Sequence, residues 1–161
     1  MINEQIKNSM KAYIDKIDQK IAKFMKKWGF VSLRISFAVI FFWFGILKPL
    51  GLSSAESLVL STVKWLPFFS PEIWLSIIGW WEVLIGITFL FKRTTRIAIA
   101  LLFLQMVGTF MPLVLLPEVS FQRGGLFFLP TLEGQYIIKN IMIISAALVL
   151  GGRTYKTGKS K

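Results

Sequence analysis

Four long apolar stretches, almost free of charge, and a one-sided distribution of Lys and Arg predict an all-α integral membrane protein built as a four-transmembrane-helix bundle. Of 161 residues, 55% are hydrophobic and 17% charged, and a soluble domain of this length has no core large enough to hide so much apolar surface. Lipid is therefore the expected solvent for most of one domain. An N-terminal amphipathic helix and a short extracytoplasmic interfacial helix complete the expected architecture.

Residues 1–28 read as a cytoplasmic, basic, amphipathic helix. Ile2, Ile6, Met10, Tyr13, Ile17, Ile21 and Phe24 recur at helical spacing, Ile14 and Met25 widen the stripe, and Lys fills much of the opposite face. Such a helix beside a first span is expected to lie in the headgroup layer, apolar side down; docking on a partner is the rival reading. The polar start carries no cleavable signal pattern, so the mature chain is expected to begin near Met1.

Residues 29–151 hold the spans, at about 30–50, 72–91, 95–116 and 131–151, each close to the 20 residues that a 30 Å hydrocarbon layer requires. Between the first two, Ser53 and Glu56 have capping-box spacing ahead of an apolar run that Pro67 stops, which predicts an interfacial or re-entrant helix too short to cross. Gly124 and Gly125 mark a turn in the loop before the last span. Residues 152–161 form a basic tail.

Orientation follows from the flanks. Lys7, Lys11, Lys16, Lys20, Lys23, Lys26 and Lys27 precede the first span, Lys92, Arg93 and Arg96 join the second to the third, and Arg153, Lys156, Lys159 and Lys161 follow the fourth. The opposite side carries Lys64 and Arg123, with Lys48 at its rim, so both termini of a multi-pass chain are expected on the cytoplasmic side of its membrane. The net charge of +11 is accounted for by these flanks, and no nucleic-acid role is expected.

The chain has no Cys and no His, which removes disulfides, thiolate chemistry, the usual zinc ligands and His-ligated haem. No metal site and no resident cofactor is expected. No triad or P-loop is present either, so any redox role borrows its cofactor.

What remains is polarity inside the spans. A charge at mid-bilayer costs about 3 kcal/mol even on the lenient insertion scale, so it is kept for a partner, a cavity or a function. Counted from the span ends, Glu82 and Gln105 fall near the midplane, Lys139 a turn further out, Arg34 in the inner third, and Lys48 and Glu133 at the outer rim. At 100° per residue, Glu133, Gln135, Tyr136, Lys139 and Asn140 share one face of the fourth span, and Gly79, Glu82 and Gly86 one side of the second. Turning each polar stripe inward gives a polar interior centred on Glu82. The ligand-binding candidates are then Glu82, Lys139, Gln105, Gln135, Tyr136, Arg34 and Asn140, with Lys48 and Glu133 as a rim ion pair. If Glu82 and Lys139 merely satisfy one another, the same groups are packing elements. Trp80 and Trp81 are expected to point away from Glu82.

The run LRISFAVIFFWFGILKPLG, then GWWEVLIGITFLF, then TLEGQYIIKNIMIISAALVLGG resembles the DoxX-like family of small four-helix bacterial membrane proteins, including its YkgB-like branch. The resemblance covers about residues 30–151 and rests on Arg34, the Gly45 to Lys48 spacing, Glu82 with Gly86, and the Lys139, Asn140 pair. It implies a cytoplasmic-membrane protein, in some members the membrane subunit of a thiosulfate:quinone oxidoreductase and in others part of an oxidative-stress assembly.

The leading expectation is thus a membrane module of a quinone-linked redox or oxidative-stress system, binding a quinone or similar small polar molecule in its interior. Glu82 would exchange the proton and Lys139 would hydrogen-bond a carbonyl, with Gln105, Gln135 and Tyr136 orienting the ring. The alternatives are a small-molecule carrier or permeation protein and a non-catalytic membrane anchor. Expected partners are the bilayer, a second copy of the chain or a partner redox subunit.

Overall fold

In a computed structural model, residues 2–122 and 126–154 are described, and among them the chain is helical with one isolated bridge between Phe121 and Pro130. The elements are α1 (Ile2–Leu47), α2 (Glu56–Val63), α3 (Pro71–Leu90), α4 (Thr95–Phe110), α5 (Pro112–Leu115), α6 (Pro117–Ser120), α7 (Leu132–Ile138) and α8 (Asn140–Thr154). Four stretches are long and apolar enough to cross a membrane: Met10–Leu47, Pro71–Leu90, Lys92–Leu115 and Leu132–Thr154. The expected Gly124, Gly125 turn and the tail from residue 155 lie outside the described residues.

Each expected boundary reflects local chemistry, with three adjustments. The amphipathic segment and the first span are one unbroken helix, α1, because nothing between Lys26 and Phe30 breaks the backbone ladder; Gly29 costs helix propensity but still fits the helical backbone. Every described side chain from Met10 to Gly29 is exposed, so the apolar stripe of this segment covers no part of the bundle. The capping box does not form: Ser53 Oγ accepts from the Ala55 amide at 3.3 Å, and α2 starts from Ala55 without a side-chain cap. The last two spans are each interrupted once. Pro112 lacks the amide that would continue the α4 ladder, so the chain turns at Met111. The fourth span turns at Lys139, where the Asn140 side chain donates to the carbonyls of Tyr136 and Ile137, both at 3.0 Å.

The last part of α1 packs along α3, α3 packs on α4, and α4 on α8, which returns to α1 at few points. The core between them is Phe37, Phe41, Ile85, Phe89, Leu102 and Leu150 with Ala38, Ala98 and Ala147. Phe37 stacks on Phe89 with ring centroids 4.8 Å apart. Large apolar side chains on the outer surface of the same helices, such as Trp43, Leu104, Val107 and Leu148, are exposed, as lipid-facing positions require.

Glycine sets the height of the first span against the second. A Cβ on Gly79 would meet the Gly45 carbonyl and the Lys48 Cβ, each at 2.8 Å, so these backbones touch. Gly79 lies eight residues into α3, about 12 Å from its N-terminal end at 1.5 Å per residue. The first span therefore stops deep in the layer that α3 crosses, and Lys48 begins the turn that leads to α2. The expected position of Lys48 at the outer rim is corrected accordingly. At the same end of the bundle as α2, Thr131 ties the loop down, its amide donating to Ser120 O at 3.0 Å and its hydroxyl to Val119 O at 2.6 Å.

Candidate functional site

The polar centre of the bundle is made of three residues from three spans. Glu82 of α3 uses both carboxylate oxygens: Oε2 is paired with the Lys48 ammonium, and Oε1 accepts from Gln105 Nε2 of α4 at 3.0 Å. The Lys48 side chain is 8% exposed and that of Glu82 14%. Lys48 also reaches the Phe44 carbonyl at 3.5 Å, near the end of α1, where the helix dipole favours a cation. Gln105 is further placed by its own turn, since the Thr109 hydroxyl donates to the Gln105 carbonyl at 3.1 Å.

Local sequence explains why these groups meet. Gly45 precedes Lys48 by three residues and Gly79 precedes Glu82 by three, so in each helix the glycine and the charge share a face. Crossing the helices at the glycines brings Lys48 against Glu82, as close backbone approach does wherever small residues meet in a membrane. Chemically the cluster is a carboxylate with two donors in a medium of low dielectric. Such a carboxylate can hold or release a proton, and its donors can turn to a carbonyl oxygen.

Of the expected site residues, Glu82 and Gln105 come together as anticipated, but the expected pairings do not form. Lys48 pairs with Glu82 rather than with Glu133, because the first span ends deep in the bundle. Lys139 does not reach Glu82; its ammonium lies 4.5 Å from the Tyr136 ring centroid, a cation–π contact on the exposed side of the fourth span. Glu133, Gln135, Tyr136 and Lys139 are all exposed, so the polar face of this span turns outward, and Gly134, Ile137 and Ala147 turn inward. Asn140 is spent on the backbone carbonyls at the Lys139 turn.

Arg34 has a packing role that the spacing did not suggest. Its Nε donates to Phe89 O at 3.1 Å and its Nη2 to Leu90 O at 2.8 Å, which satisfies carbonyls at the end of α3 that have no helical partner. The two tryptophans serve packing and surface: the Trp81 indole N–H donates to Leu101 O at 3.3 Å and its ring packs against the core, while Trp80 is exposed. Lys48 was the residue misjudged at this centre. Its signal was the shared Gly-x-x-charge spacing of the first two spans.

Comparison with known protein families, with curated proteins and with solved structures finds no match. Among the described residues no group of His, Cys, Asp or Glu could hold a metal ion.

Proposed function

We propose that this chain is the membrane module of a quinone-linked redox or oxidative-stress system of the DoxX-like type, and that the Glu82 cluster is its ligand and proton site. The observation that carries the reading is the buried carboxylate of Glu82, held midway along its span by donors from two other spans. An intramembrane ionisable group is a functional site by default, and apolar packing fills the same volume at no desolvation cost. The residues fit a quinone headgroup, whose carbonyl oxygens accept hydrogen bonds and whose reduction consumes protons. In this reading Gln105 Nε2 and the Lys48 ammonium are the donors to a carbonyl, and Glu82 passes on a proton. A bound quinone supplies the redox chemistry, taking two electrons from a partner redox subunit and two protons to become the quinol.

The proposed setting is the bacterial inner membrane with both termini cytoplasmic, from the one-sided Lys and Arg flanks. The second reading, a non-catalytic membrane anchor, draws on a specific observation: Lys48, Glu82 and Gln105 satisfy one another and close glycine packing surrounds them. Extraction of the detergent-solubilised protein and identification of what copurifies tests the proposal. A quinone in a fixed ratio to protein is the expected result, and its absence from protein purified out of quinone-rich membranes favours the anchor.

A further inference from the structure

At the opposite end of the bundle from α2, a cleft of about 680 Å³ opens between the first span, the turn joining α3 to α4, and the end of α8. Four cations from these three places line it, Arg34, Lys92, Arg93 and Arg153, and among the described residues no carboxylate does. Arg34 spends donors on the Phe89 and Leu90 carbonyls, and Arg153 spends one on Lys26 O at 3.3 Å while its guanidinium lies 3.8 Å over the Phe30 ring. Those contacts are to neutral groups, so they fix the side chains without cancelling their charge. Thr95, the first residue of α4, also lines the cleft and adds the positive end of a helix dipole. Phe30, Val31 and Leu150 supply apolar wall beside the charges.

A cavity with surplus positive charge on one part and apolar side chains on another matches an amphiphile with an anionic head. The location selects the kind. The cleft is lined by residues at the ends of the candidate spans, the level at which a span of this length meets lipid phosphates, with apolar residues beside the charges. We propose that this cleft binds the phosphate of an anionic membrane lipid, with Lys92, Arg93 and Arg153 as the principal contacts and Phe30 and Val31 against the glycerol and first methylenes. Basic flanks arise in membrane proteins for topological reasons alone. What distinguishes this cluster is convergence: residues far apart in sequence meet on one cavity without an acid among them.

The test uses the full-length protein in detergent and reads its melting temperature and the lipid retained in native mass spectrometry. Phosphatidylglycerol, phosphatidylcholine and sodium phosphate are the probes. Lys92→Gln with Arg93→Gln removes two exposed charges from the cleft, and Lys7→Gln with Lys11→Gln removes two exposed charges from the distant start of α1 as the control. Phosphatidylglycerol should raise the melting temperature of the native chain, and phosphatidylcholine and phosphate should not. The cleft variant should bind phosphatidylglycerol about thirty-fold more weakly, at roughly five-fold per basic residue, and the control should bind it like the native chain. Equal weakening in cleft variant and control overturns the site in favour of diffuse attraction, as does a native chain that shows no preference for phosphatidylglycerol. A full response to sodium phosphate overturns the lipid assignment and gives the cleft to a soluble phosphorylated ligand.

Discussion

Gly45 and Gly79 lie backbone to backbone: a Cβ on either would sit 2.8 Å from the carbonyl oxygen of the other. This one contact fixes the height of the first span against the second, and with it the meeting of Lys48 and Glu82. Gly86 repeats the arrangement about two turns further along α3, where a Cβ would come 2.5 Å from the Phe42 amide nitrogen.

Alanine at Gly45, Gly79 or Gly86 should therefore force the α1 and α3 backbones apart and cost about 1–3 kcal/mol, the usual penalty of overpacking a filled site. Alanine at Gly108 or Gly152, where an added Cβ meets nothing within 4 Å, should be neutral or stabilising by up to about 1 kcal/mol through helix propensity. Melting temperatures of the five purified variants check the contrast. Equal losses at all five positions would show that the close crossing is not what these glycines serve.

Arg34→Gln should destabilise the fold by about 1.5–3 kcal/mol, because it removes charged donors from the two carbonyls at the end of α3. Arg34→Lys should recover only part of this, since an ammonium cannot reproduce a planar fork. Quinone affinity of the folded fraction should stay unchanged in both. A selective loss of affinity at native stability would return Arg34 to the ligand site.

Deletion of residues 2–22 should leave the bundle intact, with stability within about 0.5 kcal/mol of the full chain, the range expected where no buried contact is lost. Every described side chain from Met10 to Gly29 is exposed, and it is the Lys26 carbonyl that accepts from Arg153 of α8. Chemical or thermal unfolding of the shortened protein measures it. A shift of several degrees would mean that the segment folds back on the spans.

Much of this architecture is legible in the sequence because a bilayer leaves few choices: apolar length gives the spans, and depth along a helix places Glu82 and Gln105 near the middle. Two things were not legible. Helical periodicity tells which residues share a face but not which face points inward, so the Gln135, Tyr136 and Lys139 face was expected inside and lies outside. A polar face can also be met from outside by a lipid headgroup, a second protein or, for Lys139, the Tyr136 ring. The relative height of neighbouring spans was the other gap. Hydropathy places the end of the first span near Leu50, whereas the glycine crossing sets Lys48 against Glu82, a relation visible only once two helices are packed together.

The functional reading of the Lys48–Glu82–Gln105 centre is tested most directly by the pair Lys48→Met with Glu82→Gln, examined for stability and for binding of a short-chain quinone through quenching of Trp fluorescence. Each single replacement strands a buried partner and should cost about 3–5 kcal/mol, whatever the site is for. The double replacement removes both charges at similar volume and should restore a melting temperature close to that of the native chain. The account predicts that this well-folded double variant no longer binds the quinone that the native chain binds. A double variant that is stable and binds quinone as the native chain does would contradict it and leave the ion pair as a packing device.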